Sequence, residues 1–221
     1  MSLVIVGMGT AKSVNLGAMK AKPEFRKATL NMMLAAASQD EALAPLTLQS
    51  ETLTSSMMIL GSSYGELGVT IGFLEYLSQS GVARPLLFQN SLHNSTLGFL
   101  AMRLNLQGPA FTVSNGVLTG ENSIELACTW LRDKKMPLCI VTCVDSIVTQ
   151  LRLDDQLPIG SRGEGAGTLL LAQMETAKQY GWPILGLEAS LHGHDKYDQL
   201  AANAYHSDAV ERLVELLRAT T

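Results

Sequence analysis

Six short apolar runs, separated by stretches with helical spacing, narrow most sharply what this chain can fold into. The runs are Leu3–Val6, Met57–Leu60, Ala110–Ser114, Leu138–Cys143, Thr168–Ala172 and Ile184–Ala189. Their length and β-branched content read as buried strands. Between and after them, apolar residues recur at i, i+3, i+4 and i+7: Leu30, Met33, Leu34 and Ala37; Leu97, Leu100, Ala101 and Leu104; Ile124, Ala127, Cys128 and Leu131; Val210, Leu213, Val214 and Leu217. Each set places one greasy stripe on a helix. Strands alternating with helices predict an α/β fold, a mostly parallel mixed sheet covered by helices.

Neither a linker nor an internal repeat interrupts the pattern, so residues 1–221 read as a single domain. The longest break is the loop from Asp145 to Arg162. With 47% apolar and 16% charged residues the chain leans towards a buried interface, and its net charge of −4 without a basic run gives no footprint for nucleic acid. The longest apolar runs fall far short of the ~20 residues that cross a bilayer. Met1–Val6 lacks the features of a signal peptide. Cys128, Cys139 and Cys143 form no CxxC pair, and they read as reduced core thiols of a cytoplasmic protein.

The stretch Gly108–Asp145, GPAFTVSNGVLTGENSIELACTWLRDKKMPLCIVTCVD, reads as strand, small-residue elbow, helix and second strand. In that order it resembles the nucleophile segment of the β-ketoacyl synthases, where a Gly-Pro, a Thr-Val strand and a tight turn place a cysteine at the start of a helix. Further landmarks fall in the family's order. VIVGMG at Val4–Gly9 is similar to its opening strand and turn, and MMILGSSYGE at Met57–Glu66 to its second strand. Asn90–Leu104 followed by Gln107-Gly108-Pro109 resembles the helix leading to the nucleophile strand, and GEGAGTLLL at Gly163–Leu171 is close to a family signature.

The resemblance implies the N-terminal half of a thiolase-like fold without the chemistry. A helix N-terminus lowers a thiol's pKa and makes the acyl-accepting thiolate. The matching position here is Val117, which has neither a lone pair nor an ionisable proton, so no catalytic residue is expected there. The family's two histidine-bearing motifs, which activate the malonyl unit, do not occur in this sequence. What remains resembles the chain-length factors, above all the short ones of bacterial aryl polyene clusters. These are non-catalytic subunits that pair with an active synthase in type II fatty-acid-like or polyketide biosynthesis.

That likeness implies a heterodimer with a full-length β-ketoacyl synthase, an acyl carrier protein as an indirect partner, and no cofactor. It puts the partner interface on the strand Ala110, Phe111, Thr112, Val113 and Ser114. It also implies that the helix at Glu66–Ser78 lines a tunnel through Gly68, Val69, Gly72, Phe73 and Tyr76. That helix carries two apolar stripes, Leu67, Ile71 and Leu74 beside Val69, Gly72, Phe73 and Tyr76. Two stripes fit either two packing partners or full burial within the domain.

Other constellations have competing readings. Ser114, Thr119 and Ser123 are candidate hydroxyl nucleophiles without a nearby histidine in sequence, so capping and strand-end roles fit them better. Ser114 or Cys128 would have to carry a residual carrier-dependent acyl transfer. A self-associating scaffold is a third alternative. His192, His194, Asp195 and Asp198 are metal-compatible at an unspecific spacing, and no metal site is assigned. Gly7 and Gly9 lack the third glycine of a dinucleotide fingerprint and read as a turn. Gly163, Gly165 and Gly167 read as a tight strand entry, with a phosphate cradle as the alternative.

Overall fold

A computed structural model describes residues 2–12, 16–133, 136–146 and 165–187 of the protein. Strand β1 (Leu3–Lys12) is followed by the short helix α1 (Gly17–Lys20), a 3-10 turn at Pro23–Phe25, and helices α2 (Leu30–Leu43) and α3 (Ser50–Thr54). After β2 (Met57–Gly61) come α4 (Leu67–Ser80), α5 (Pro85–Asn90) and α6 (Ser95–Arg103). Strand β3 (Ala110–Val113) runs through a second 3-10 turn, Gly116–Leu118, into α7 (Thr119–Asp133). Then follow β4 (Cys139–Asp145), β5 (Gly165–Gln173), α8 (Met174–Tyr180) and β6 (Gly186–Leu187).

The strands form one sheet in the order β3-β2-β4-β5-β1-β6. β2 pairs in parallel with β3 and β4, whereas β5 is antiparallel to both β4 and β1, and β6 is antiparallel to β1. Four strands therefore run one way and two the other. The central strands β2, β4 and β5 are buried along their whole length, which is why their sequences are continuous apolar runs and not alternating ones. Alternate residues feed two cores. Val4, Met58, Leu60, Ile140 and Leu170 meet Leu34 and Leu100 of α2 and α6. Leu3, Ile5, Met57, Ile59, Val141 and Leu171 meet Ile124, Ala127, Cys128 and Leu131 of α7. Truncating Leu34 or Leu131, both fully buried, to alanine costs about 2–5 kcal/mol.

Two local expectations fail for physical reasons. The opening strand does not turn at Gly7 and Gly9 but continues to Lys12, and both glycines lie against α2. A Cβ at Gly7 would come within 2.3 Å of the Ala42 carbonyl oxygen, and one at Gly9 within 2.2 Å of that of Ser38. These glycines let helix and strand backbones touch. The α2 stripe is also wider than its spacing suggests. Leu30 and Ala37 are only half-buried, while Asn31, Met32, Ala35, Ala36, Ser38, Gln39 and Ala42 are buried. Small side chains let the helix sink between the sheet and its neighbours, and its polar residues find partners there: Gln39 Nε2 donates to Thr142 Oγ1 at 3.0 Å, and Ser38 Oγ lies 2.7 Å from Thr168 Oγ1.

The helix expected over Asn90–Leu104 is broken at Ser91–Asn94, and among the described residues the last strand covers Gly186–Leu187. Gly165 and Gly167 lie inside β5, paired with Lys12 and Thr10. The rest of the predicted loop from residue 147 to 162, Gly163, the 192–198 histidine and aspartate cluster and the stripe at 210–217 lie outside the described residues.

Candidate functional site

Parallel strands β2, β3 and β4 deliver their C-terminal ends to one edge of the sheet, the edge where open α/β sheets hold ligands. The turn Gly116–Leu118 after β3 contains Val117 and leads straight into α7 at Thr119. Thr119 braces it, accepting from the Asn115 N–H at 2.9 Å and donating to the Gly116 carbonyl at 2.8 Å. Gly116 has a φ of 53°. Beneath the turn, a Cβ on Gly61 would meet Cys143 Sγ at 2.5 Å and Ser123 Oγ at 2.7 Å, so any larger residue would have to displace these buried side chains.

The turn after β2 is tied to this elbow. Ser63 Oγ donates to the Gly116 carbonyl at 2.9 Å. Ser114 Oγ, at the end of β3, reaches the Ser63 carbonyl at 3.4 Å. At the end of β4, buried Asp145 accepts from Ser62 Oγ at 2.7 Å and from the Ser63 and Tyr64 N–H groups at 3.1 Å. Burial raises its pKa above the usual carboxylate range, and the bonds from Ser62, Tyr64 and Ser63 pull it back.

Glu66 opens α4 and is buried. Its Oε1 accepts from Thr29 Oγ1 at 2.7 Å and Thr96 Oγ1 at 2.5 Å, residues at the starts of α2 and α6. Asn31 Nδ2 adds a bond to the Gly65 carbonyl at 2.7 Å. Burial pushes the Glu66 carboxyl up, partly offset by Thr96 and Thr29. The positive ends of three helices thus gather around one acid.

The expected interface strand β3 lies at the sheet edge with β2 as its only described partner. Ala110 is exposed, and Phe111, Thr112 and Val113 are half-buried. The Pro109 and Val113 carbonyls accept from Met58 and Ser62 N–H groups. By the alternation of a strand, the main-chain groups of Ala110 and Thr112 then face the free edge. Phe111 and Val113 instead pack on the α7 side.

No residue of α4 is buried, so full burial within the domain is overturned. Phe73 packs against Phe88 of α5 with ring centroids 5.7 Å apart and tilted by 55°, and Arg84 lies 3.8 Å over the Tyr76 ring. Val69 is half-buried, Gly68 is exposed, and a Cβ on Gly72 would meet nothing within 4 Å. Leu74 is 55% exposed, Val82 59%, Phe88 55% and Met102 76%. Large exposed apolar side chains are concentrated between α4 and α6. The outer side of α7 is polar instead, with Glu125, Thr129, Arg132 and Asp133 exposed. A groove of about 500 Å³ between α5, α6 and the 23–28 turn, floored by Met32, Leu92 and Phe99, is separate from the elbow.

Among the described residues the substitute nucleophiles find no histidine base. Ser123 Oγ is buried and donates to the Thr119 carbonyl at 2.6 Å, while Ser114 is exposed with no histidine bonded to it among the described residues. Cys128 is 1% exposed, which denies it an acyl donor. Burial raises the Cys139 thiol's pKa, and it pushes the Cys143 thiol up to about 12, with Ser123 opposing. Among the described residues no cluster could hold a metal ion, and no helix is long and apolar enough to cross a membrane. Ser62, Ser63, Glu66 and Asp145 were not singled out from sequence. The available signal was an acid closing an apolar strand, Leu138–Val144 followed by Asp145.

Against known proteins, residues 17–157 match the family model of the β-ketoacyl synthase N-terminal domain. The chain belongs to this family. Its fold is similar to that of a ketosynthase (ApeO) in complex with its chain length factor (ApeC) from Xenorhabdus doucetiae, at 19% identity and a TM-score of 0.62 over 78% of this chain and 79% of that one. It is also similar to the ishigamide ketosynthase/chain length factor, at 17% identity and a TM-score of 0.69 over 84% of this chain and 65% of that one. A β-ketoacyl synthase from Burkholderia phymatum STM815 shares 16% identity with a TM-score of 0.66, over 84% of this chain and 62% of that one. The chain thus spans under two thirds of the length of the latter two structures. A search of curated proteins finds no match.

Proposed function

We propose that this protein is a non-catalytic subunit of the chain-length-factor type, which pairs with a cysteine-bearing β-ketoacyl synthase and shapes the product that synthase makes. The observation that carries this reading is Val117: a braced turn at the mouth of a helix, with a valine at the position where the family's resemblance puts the nucleophile. Two features support it. The edge of β3 away from β2, unpaired among the described residues, offers main-chain donors and acceptors for an antiparallel partner strand, and several large apolar side chains between α4 and α6 are exposed. Neighbouring folds come from ketosynthase and chain-length-factor complexes, in keeping with such a partner.

In this reading the β3 edge pairs with the partner, α4 forms part of a tunnel wall, and the acyl carrier protein docks on the synthase. Burial of Cys128, and the absence of a histidine bonded to Ser114 among the described residues, argue against residual acyl transfer. The test is co-expression with a full-length ketosynthase, then size-exclusion chromatography of each protein alone and together. A one-to-one complex is expected. Persistent self-association that excludes the synthase would favour the scaffold alternative.

A further inference from the structure

We propose that Asp145 is the positioning residue of this site: its ionised carboxylate fixes the Ser62–Gly65 turn against the Gly116–Leu118 turn and so sets where α4 begins. The demand for charge comes from the donors. One oxygen of Asp145 accepts from Ser62 Oγ and the Tyr64 N–H, and the other from the Ser63 N–H. Both oxygens must accept. An amide would turn its NH2 towards one of these donors, and a protonated acid would accept more weakly through the oxygen that carries the proton. No cation pairs with Asp145 among the described residues, so these donors replace the water lost on burial.

The bonds continue outward from the carboxylate. Ser62 Oγ, held by Asp145, accepts from the Gly65 N–H at 2.8 Å, closing the turn where Gly65 adopts a φ of 56°. Glu66 follows and α4 starts at Leu67. Ser63, whose N–H Asp145 holds, passes its hydroxyl to Gly116 in the elbow. One acid at the end of β4 thereby joins two turns that lie far apart in sequence. That its loss alters a partner's product rests on the proposed function. Its local role does not.

Amide hydrogen exchange on the full chain tests it. Asp145→Asn keeps the volume, so a merely space-filling aspartate predicts unchanged protection. The proposal expects the Ser63 and Tyr64 amides to exchange at least about tenfold faster. Ser62→Ala, which serves if the first variant does not fold, should expose the Gly65 amide while Ser63 stays protected. Unchanged protection at Ser63 and Tyr64 in Asp145→Asn, or at Gly65 in Ser62→Ala, overturns the proposal. In the reconstituted pair Asp145→Asn should also shift or broaden product length. Opened amides with unchanged products would retire the α4 reading and leave the role of Asp145 standing.

Discussion

The rings of Phe111 and Trp130 lie 5.0 Å apart, tilted by 46°, and join the edge strand β3 to α7 within one chain. Phe111 and Val113 therefore belong to this protein's own core as much as to any interface. An acidic substitution at either would bury a carboxylate among apolar neighbours and weaken the fold itself.

A cleaner probe of the β3 edge is Thr112→Pro. Proline removes one N–H, which the strand's alternation directs away from β2, and edge strands tolerate proline where that group faces outward. The isolated chain should lose no more than about 1–2 kcal/mol, read as a small drop in Tm. Its complex with the ketosynthase should disappear from size-exclusion profiles. A complex of undiminished strength would move the interface off this edge.

Glu66 makes stability depend on pH with a defined sign. Its folded pKa is raised above the unfolded value, so the folded state holds the proton more tightly. The stability this contributes is fully present below the unfolded pKa and is lost as pH rises through the folded one. Glu66→Gln keeps an oxygen to accept from Thr29 and Thr96 and removes the titration. Urea denaturation across this window should show a shallower loss of stability with rising pH than the native chain. An identical slope would mean that Glu66 does not titrate differently on folding.

The three thiols should be inert. Cys128, Cys139 and Cys143 are buried, and burial raises the last two well above neutrality. Iodoacetamide at pH 8 should leave them unlabelled in the folded chain and modify all three in denaturant, counted by intact mass. Rapid stoichiometric labelling of native Cys128 would revive an acyl-transfer role.

Where one face of an element was buried and the other wet, the sequence was readable. In α7, Ile124, Ala127, Cys128 and Leu131 are buried as their spacing predicts, because Glu125, Thr129 and Arg132 mark the opposite side. In α2 small and amide side chains are buried beside the apolar ones, so the buried face is wider than the apolar spacing marks. Gly7 and Gly9 look like a turn in one dimension, and only the approach of Ser38 and Ala42 shows why they are glycine in a strand. The elbow was legible through the family resemblance. Its bracing was not, since the Asp145 contacts to Ser62, Ser63 and Tyr64 cross more than eighty positions and use mainly backbone groups, which carry no sequence signature.

The wall facing a growing product should be the open side of α4. Phe73 and Tyr76 are engaged by Phe88 and Arg84 of the α4–α5 hairpin, so Phe73→Ala or Tyr76→Ala would loosen that hairpin as well as free about one ring of space. Gly72→Leu is sharper, because no described residue lies within 4 Å of a Cβ placed there.

The most direct measurement is the product-length distribution of the reconstituted ketosynthase pair, supplied with carrier protein and malonyl donor and read by mass spectrometry. With Gly72→Leu in an intact complex, the account predicts shorter products or arrest of elongation, since a close-packed wall does not yield the volume of each added two-carbon unit. A distribution identical to that of the native pair, or one the ketosynthase produces equally well without this chain, would contradict it.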